Sequence, residues 1–113
     1  MHELGVTQSI LDTVLQQAKE YNVKRISAIN LKVGVWTSIV PDCVQFYFEM
    51  LSEDTIAEGA ELKVEEIPLT GRCEDCGEIF EIEEFLFVCP HCSGKKVNIE
   101  AGRELFIDSI EVE

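Results

Sequence analysis

The stretch CEDCGEIFEIEEFLFVCPHC, residues 73–92, sets Cys73, Cys76, Cys89 and Cys92 as two C-x2-C pairs separated by twelve residues. Two residues between cysteines let a tight turn present both sulfurs to one ion, and two such turns complete a tetrahedral set of four thiolates. Gly77 and Gly94 follow the pairs at places where a turn calls for positive φ. Between the pairs, Phe80, Ile82, Phe85, Phe87 and Val88 can form the small apolar patch of two hairpins packed around a metal.

Because four sulfurs fill every position of a tetrahedral ion, the pattern predicts structural zinc rather than a catalytic centre with an open position. The same donors can hold redox-active iron, and CPHC is similar to the second cysteine pair of rubredoxins. Spacing alone leaves that alternative open. Disulfides are disfavoured in a reducing compartment. His91, inside the second pair, reads as an exposed turn residue while four sulfurs are available.

Pro68 and Gly71 on one side and Gly102 on the other punctuate this segment. Residues 69–102 then form an insert of 34 residues, below the roughly 40 at which a domain needs a metal, disulfide or partner to fold. Metal binding is therefore expected to drive its folding. Its seven acids and three bases give a formal charge of −4.

The flanking chain follows two periods. Leu4, Leu11, Val14, Leu15, Ala18 and Tyr21 recur at helical spacing, which predicts an amphipathic helix over 4–22. Ile29, Leu31, Val33 and Val35 alternate with Asn30, Lys32 and Gly34, a half-buried strand over 27–35. Pro41 and Asp42 suit the first turn of a second helix, with Val44, Tyr47, Phe48 and Leu51 as its apolar face. Cys43, early in that helix and far from other ligands, reads as a core residue.

Ala60, Leu62 and Val64 oppose Glu61, Lys63 and Glu65 in a second strand. A third strand, ELFIDSIEVE at 104–113, alternates through Leu105 and Ile107 but slips phase before Ile110 and Val112, as a bulge near Ser109 requires. The expected fold is α+β, with two helices packed on a three-stranded sheet and an inserted four-cysteine zinc ribbon. Residues 1–68 with 103–113 make one domain and 69–102 the other.

Twenty-two acidic against nine basic side chains give a formal net charge of −13. That charge opposes nucleic acid and anionic membranes as partners. No apolar run approaches the roughly 18 residues of a membrane span, and the beginning of the chain lacks the features of a secretory or transit peptide. A cytoplasmic location is expected. So few histidines leave no nucleophile–base constellation, which argues against an enzyme.

One of only two histidines is His2. A Met-His-Glu start brings together the α-amine of Met1, the amide of His2 and its imidazole, nitrogen donors that suit Ni²⁺, Cu²⁺ or Zn²⁺; a square-planar set favours Ni²⁺ or Cu²⁺. Termini are commonly mobile and carry polar residues, so these three residues alone decide nothing.

The whole chain, from MHELGVTQSIL through LKVGVWTSIVPD to both cysteine pairs and the final strand, resembles the HypA/HybF family of nickel-incorporation proteins for [NiFe]-hydrogenase maturation. The resemblance implies a nickel-binding α/β domain plus a zinc ribbon, with zinc on Cys73, Cys76, Cys89 and Cys92. Nickel, as transferable cargo, is implied at Met1 and His2, with Glu3 contributing through its backbone amide. Implied partners are a HypB-type GTPase, the immature hydrogenase large subunit and, in some organisms, urease maturation proteins; a homodimer is a further assembly consistent with the resemblance. Certain family members carry a histidine directly after each cysteine pair. Here those positions are Gly77 and Ser93, which argues against a pH-linked change of zinc ligands. The competing functions are an acidic zinc-ribbon adaptor without nickel delivery and an iron-bearing electron carrier.

Overall fold

The computed structural model describes residues 3–113. The expected nickel ligands Met1 and His2 lie outside the described residues. In chain order the elements are α1 (Glu3–Glu20), β1 (Ile26–Gly34), a 3-10 turn (Val35–Thr37), α2 (Pro41–Leu51), β2 (Glu61–Ile67), β3 (Thr70–Cys73), β4 (Ile79–Glu81), β5 (Val97–Ala101) and β6 (Leu105–Val112). The strands form two three-stranded sheets, β2-β1-β6 and β4-β3-β5, so the fold is α+β.

Two compact units result, the first made of Met1–Lys32, Ile39–Glu65 and Phe106–Glu113, the second of Val33–Ser38 and Glu66–Leu105. In the first, α1 buries Thr7, Ile10, Leu11, Val14 and Ala18, the three- and four-residue spacing that keeps side chains on one helix face. Thr7 is tolerated there because its hydroxyl donates to the Glu3 carbonyl at 2.6 Å, leaving no unpaired buried polar group. Two residues assigned to the stripe fall outside it. Leu4, in the first turn, and Tyr21, one residue beyond the helix, are both exposed.

α2 begins as its sequence predicts, with Pro41 in the first turn and Asp42 beside it. Val44 and Phe48 are buried, four apart and therefore on one face. Cys43 is exposed, contrary to its expected place in the core. It precedes Val44, and one step along a helix rotates a side chain by about 100°, off the buried stripe.

β1 is the central strand of the first sheet, and it buries Ile26, Ala28, Ile29, Leu31 and Val33. Its half-buried polar positions carry cross-strand contacts: Asn30 donates to Ser109 at 2.9 Å and Glu111 at 3.1 Å, and Lys32 meets Glu65 at 3.2 Å. Such exposed pairs add little stability. In β6 Ile107 and Ile110 are half-buried with Asp108 and Ser109 between them exposed, as the phase slip predicts, but Val112, expected to follow Ile110 inward, is exposed.

In the second unit β3 pairs antiparallel with β4 and β5, Gly71 lying opposite Phe80 on one side and Ile99 on the other. Gly71 is thus a strand residue rather than only punctuation. A Cβ there would come within 2.6 Å of Val97 Cγ1 and 2.9 Å of Ile82 Cδ1, so the central strand admits glycine for close packing. Val35, expected in β1, instead begins the 3-10 turn. Gly34 ends the strand against the Gly102 backbone, which an added Cβ would overlap. Among the described residues no helix is long and apolar enough to cross a membrane.

Candidate metal centre

Cys73 ends β3 and Cys76 follows in a tight turn; Cys89 and Cys92 form a second turn ahead of β5. The two turns are built alike. The Gly77 amide donates to the Cys73 carbonyl and the Ser93 amide to the Cys89 carbonyl, both at 2.8 Å. The Cys73 and Cys89 amides in turn donate to Glu78 and Gly94 carbonyls, each at 2.9 Å. The residue after each pair is left-handed, Gly77 at φ 77° and Ser93 at φ 65°. Ser93 therefore takes the conformation expected of Gly94, because the turn closes one residue earlier than the position of the glycine.

Gly94 serves another purpose. A Cβ on it would lie 2.8 Å from Asp75 Oδ2 and 3.2 Å from the sulfurs of Cys73 and Cys92. It keeps the space beside the thiols open, a role invisible in the C-x2-C spacing.

The turns bring all four sulfurs within 4.8 Å of one another. Cys73 and Cys92 approach to 3.6 Å, as do Cys76 and Cys89. A metal about 2.3 Å from four tetrahedral sulfurs sets them roughly 3.8 Å apart, so the group fits a four-thiolate ion. Cys73 and Cys89 are buried, whereas Cys76 and Cys92 face solvent.

Electrostatics separate the thiols. Burial acts to raise Cys89, but the amides of Cys92 and His91 and the neighbouring thiols outweigh it and bring it down to about 7. The Gly94 amide acts to lower Cys92, yet the Cys73 thiol, burial and the other two thiols push it up to about 12. Cys76 is also raised: the Glu78 amide opposes the shift, and burial with the Cys89 thiol prevails. Cys89 thus ionises most readily, while burial and hydrogen bonds among the sulfurs keep Cys76 and Cys92 protonated until a divalent cation displaces their protons. His91 is exposed, and what it supplies is its backbone N–H, 3.4 Å from Cys89 Sγ.

Of the residues expected to bind nickel, Glu3 alone is described. It opens α1, and its carboxylate accepts the Val40 amide at 3.0 Å just ahead of α2. The starts of the two helices are tied together there. The Glu3 carboxylate thus has a structural partner within the fold.

The expected apolar patch of the cysteine unit is partly realised. Ile82 is buried and Phe80, Phe87 and Val88 are half-buried, but Phe85 is exposed. Trp36 completes the cluster from the 3-10 turn, its ring edge-on to Phe85 and to Phe87 at 6.0 Å each. No signal within residues 69–102 could have found it.

The sequence model of the family described as "Hydrogenase/urease nickel incorporation, metallochaperone, hypA" matches residues 1–112. The chain belongs to the HypA family. It is 44% identical over its full length to a hydrogenase maturation factor HypA of Dehalococcoides mccartyi, covering 95% of that protein. It is 42% identical to the HypA of Caldanaerobacter subterraneus subsp. tengcongensis, with full coverage of both chains. The solution structure of the Ni metallochaperone HypA from Helicobacter pylori superposes with a TM-score of 0.66 at 24% identity, over 99% of this chain and 97% of that one. At that identity the superposition speaks for the fold. HypA proteins are metallochaperones for hydrogenase maturation and not enzymes. A closed four-cysteine metal group within a HypA chain accords with a structural centre rather than a reaction centre.

Proposed function

We propose that this HypA protein is a cytoplasmic nickel carrier that binds Ni²⁺ through Met1, His2 and Glu3 and hands it to the immature large subunit of a [NiFe]-hydrogenase. The observation that carries this reading is the family match across residues 1–112. On the same reading a HypB-type GTPase assists delivery, urease maturation proteins are a second destination, and the carrier works as a monomer or homodimer. Nickel is assigned to the domain of residues 1–68 and 103–113 and zinc to residues 69–102, although Val33–Ser38 and residues 66–68 and 103–105 pack into the compact unit that holds the cysteines.

The four cysteines suit zinc by donor type and number, and when bound the ion supplies a fixed cross-link between the two turns. Cargo must leave, whereas a structural ion must stay. Four sulfurs with two buried members serve retention; amine, amide and imidazole nitrogens beside the start of α1 serve exchange. Protonation of those nitrogens, or their capture by a partner, weakens Ni²⁺ binding in the direction that transfer requires.

Metal analysis of the full-length chain tests the division of labour. The expected result is one zinc that withstands dialysis and one nickel that a competing chelator removes without loss of zinc or fold. Nickel displacing zinc from the cysteines, with no second nickel bound, would overturn it.

A further inference from the structure

The second unit carries a shallow, open groove of about 420 Å³ that the metal centre does not use. Val35, Leu69 and Ile82 supply its apolar lining, and Glu66, Glu81, Glu83 and Glu84 stand around them. All four carboxylates are exposed, and among the described residues none of them is hydrogen-bonded or paired with a cation.

Apolar surface continues from both ends of this lining. One residue beyond Val35 is Trp36, 44% exposed, and one beyond Glu84 is Phe85, 53% exposed and followed by Leu86 at 66%. Trp36 and Phe85 meet edge to face. Glu84 and Phe85 are consecutive non-glycine residues with positive φ, 53° and 57°, a disfavoured arrangement that fixes a tight turn with the ring outward. Exposed aromatics grouped beside a groove mark an interaction site more often than bare solvent surface.

Charge selects the occupant. Phosphate backbones and anionic lipid would face four carboxylates, and a second copy of this chain would bring acid against acid. We infer that this face is a docking surface for a basic amphipathic segment of a partner protein. Its apolar side chains seat on Trp36, Phe85 and Leu86, and its lysines or arginines lay their stems on the apolar lining while their cationic heads meet the carboxylates. The inference needs only the second unit and stands independently of where nickel binds.

Trp36 is the single tryptophan of the chain, so its fluorescence reports directly on this face. The experiment titrates the full-length protein with a short amphipathic Leu/Lys peptide lacking tryptophan, against a Leu/Glu peptide of the same pattern. A saturable change in Trp36 emission is expected with the first peptide alone. The combined Glu81→Gln, Glu83→Gln, Glu84→Gln variant should bind about tenfold more weakly or worse. Phe85→Asn, which tolerates the left-handed backbone while removing the ring, should weaken binding comparably. The equal-charge control Asp42→Asn, Glu49→Gln, Glu53→Gln alters exposed acids of the first unit and should leave affinity within about twofold. Absence of any emission change, equal response to both peptides, or equal loss in the control variant would overturn the inference.

Discussion

Gly77 and Ser93 occupy equivalent places in the two cysteine turns, each left-handed and each donating its amide at 2.8 Å to the first cysteine of its pair. Only one is a residue for which that conformation carries no Cβ penalty. Ser93→Gly is therefore expected to stabilise the metal-loaded chain by about 0.5–1 kcal/mol, and Gly77→Ala to destabilise it by about 1 kcal/mol. Chemical denaturation of the metal-loaded protein measures both, and effects of equal sign would show that the turns are not equivalent.

Gly94→Ala acts by a different route. The new Cβ would press on two sulfurs and on Asp75, so its main consequence is lost metal affinity, by about tenfold or more, rather than backbone strain. Competition with a chromophoric chelator should separate it from Gly77→Ala, whose Cβ meets nothing within 4 Å.

The metal-free thiols predict a pH signature. Cys89, held down to about 7, is largely protonated at pH 6 and largely ionised at pH 8. Proton release per metal bound should fall by roughly one across that window, since the site has already lost that proton at the higher pH. Calorimetry in buffers of differing ionisation enthalpy counts the protons; a constant count from pH 6 to 8 would contradict the assignment.

Cys43 and Phe48 lie on one helix with opposite environments. Cys43→Ser should change stability by less than about 0.5 kcal/mol, whereas Phe48→Ala, at 1% exposure, should cost about 3–5 kcal/mol. In the metal-loaded protein Cys43 should also be the one rapidly alkylated thiol, which mass spectrometry of labelled peptides would reveal.

These contrasts trace what was legible in the amino-acid sequence. Helix and strand periods located α1, α2, β1, β2 and β6 because a half-buried element must repeat its apolar residues at its own spacing. The doubled C-x2-C spacing located the metal centre for a comparable reason: the chelating turn is local. Cys43 was misplaced because a small apolar residue type cannot report which side of a helix it occupies when the stripe is one residue away. Trp36 joining Phe85 and Phe87 depends on a contact across some fifty positions, and the left-handed backbone of Ser93 on how a turn closes, neither of which periodicity encodes.

The central claim is that the amine of Met1 and the imidazole of His2 hold the cargo ion. Nickel titration of a native-ended sample, followed by calorimetry and by the visible bands of planar nitrogen-bound Ni²⁺, tests it most directly when wild type is set beside His2→Ala and beside a form extended ahead of Met1. The account predicts one nickel per chain for wild type and loss of that binding in both altered forms, with zinc retained. Unchanged nickel affinity in either altered form would contradict it.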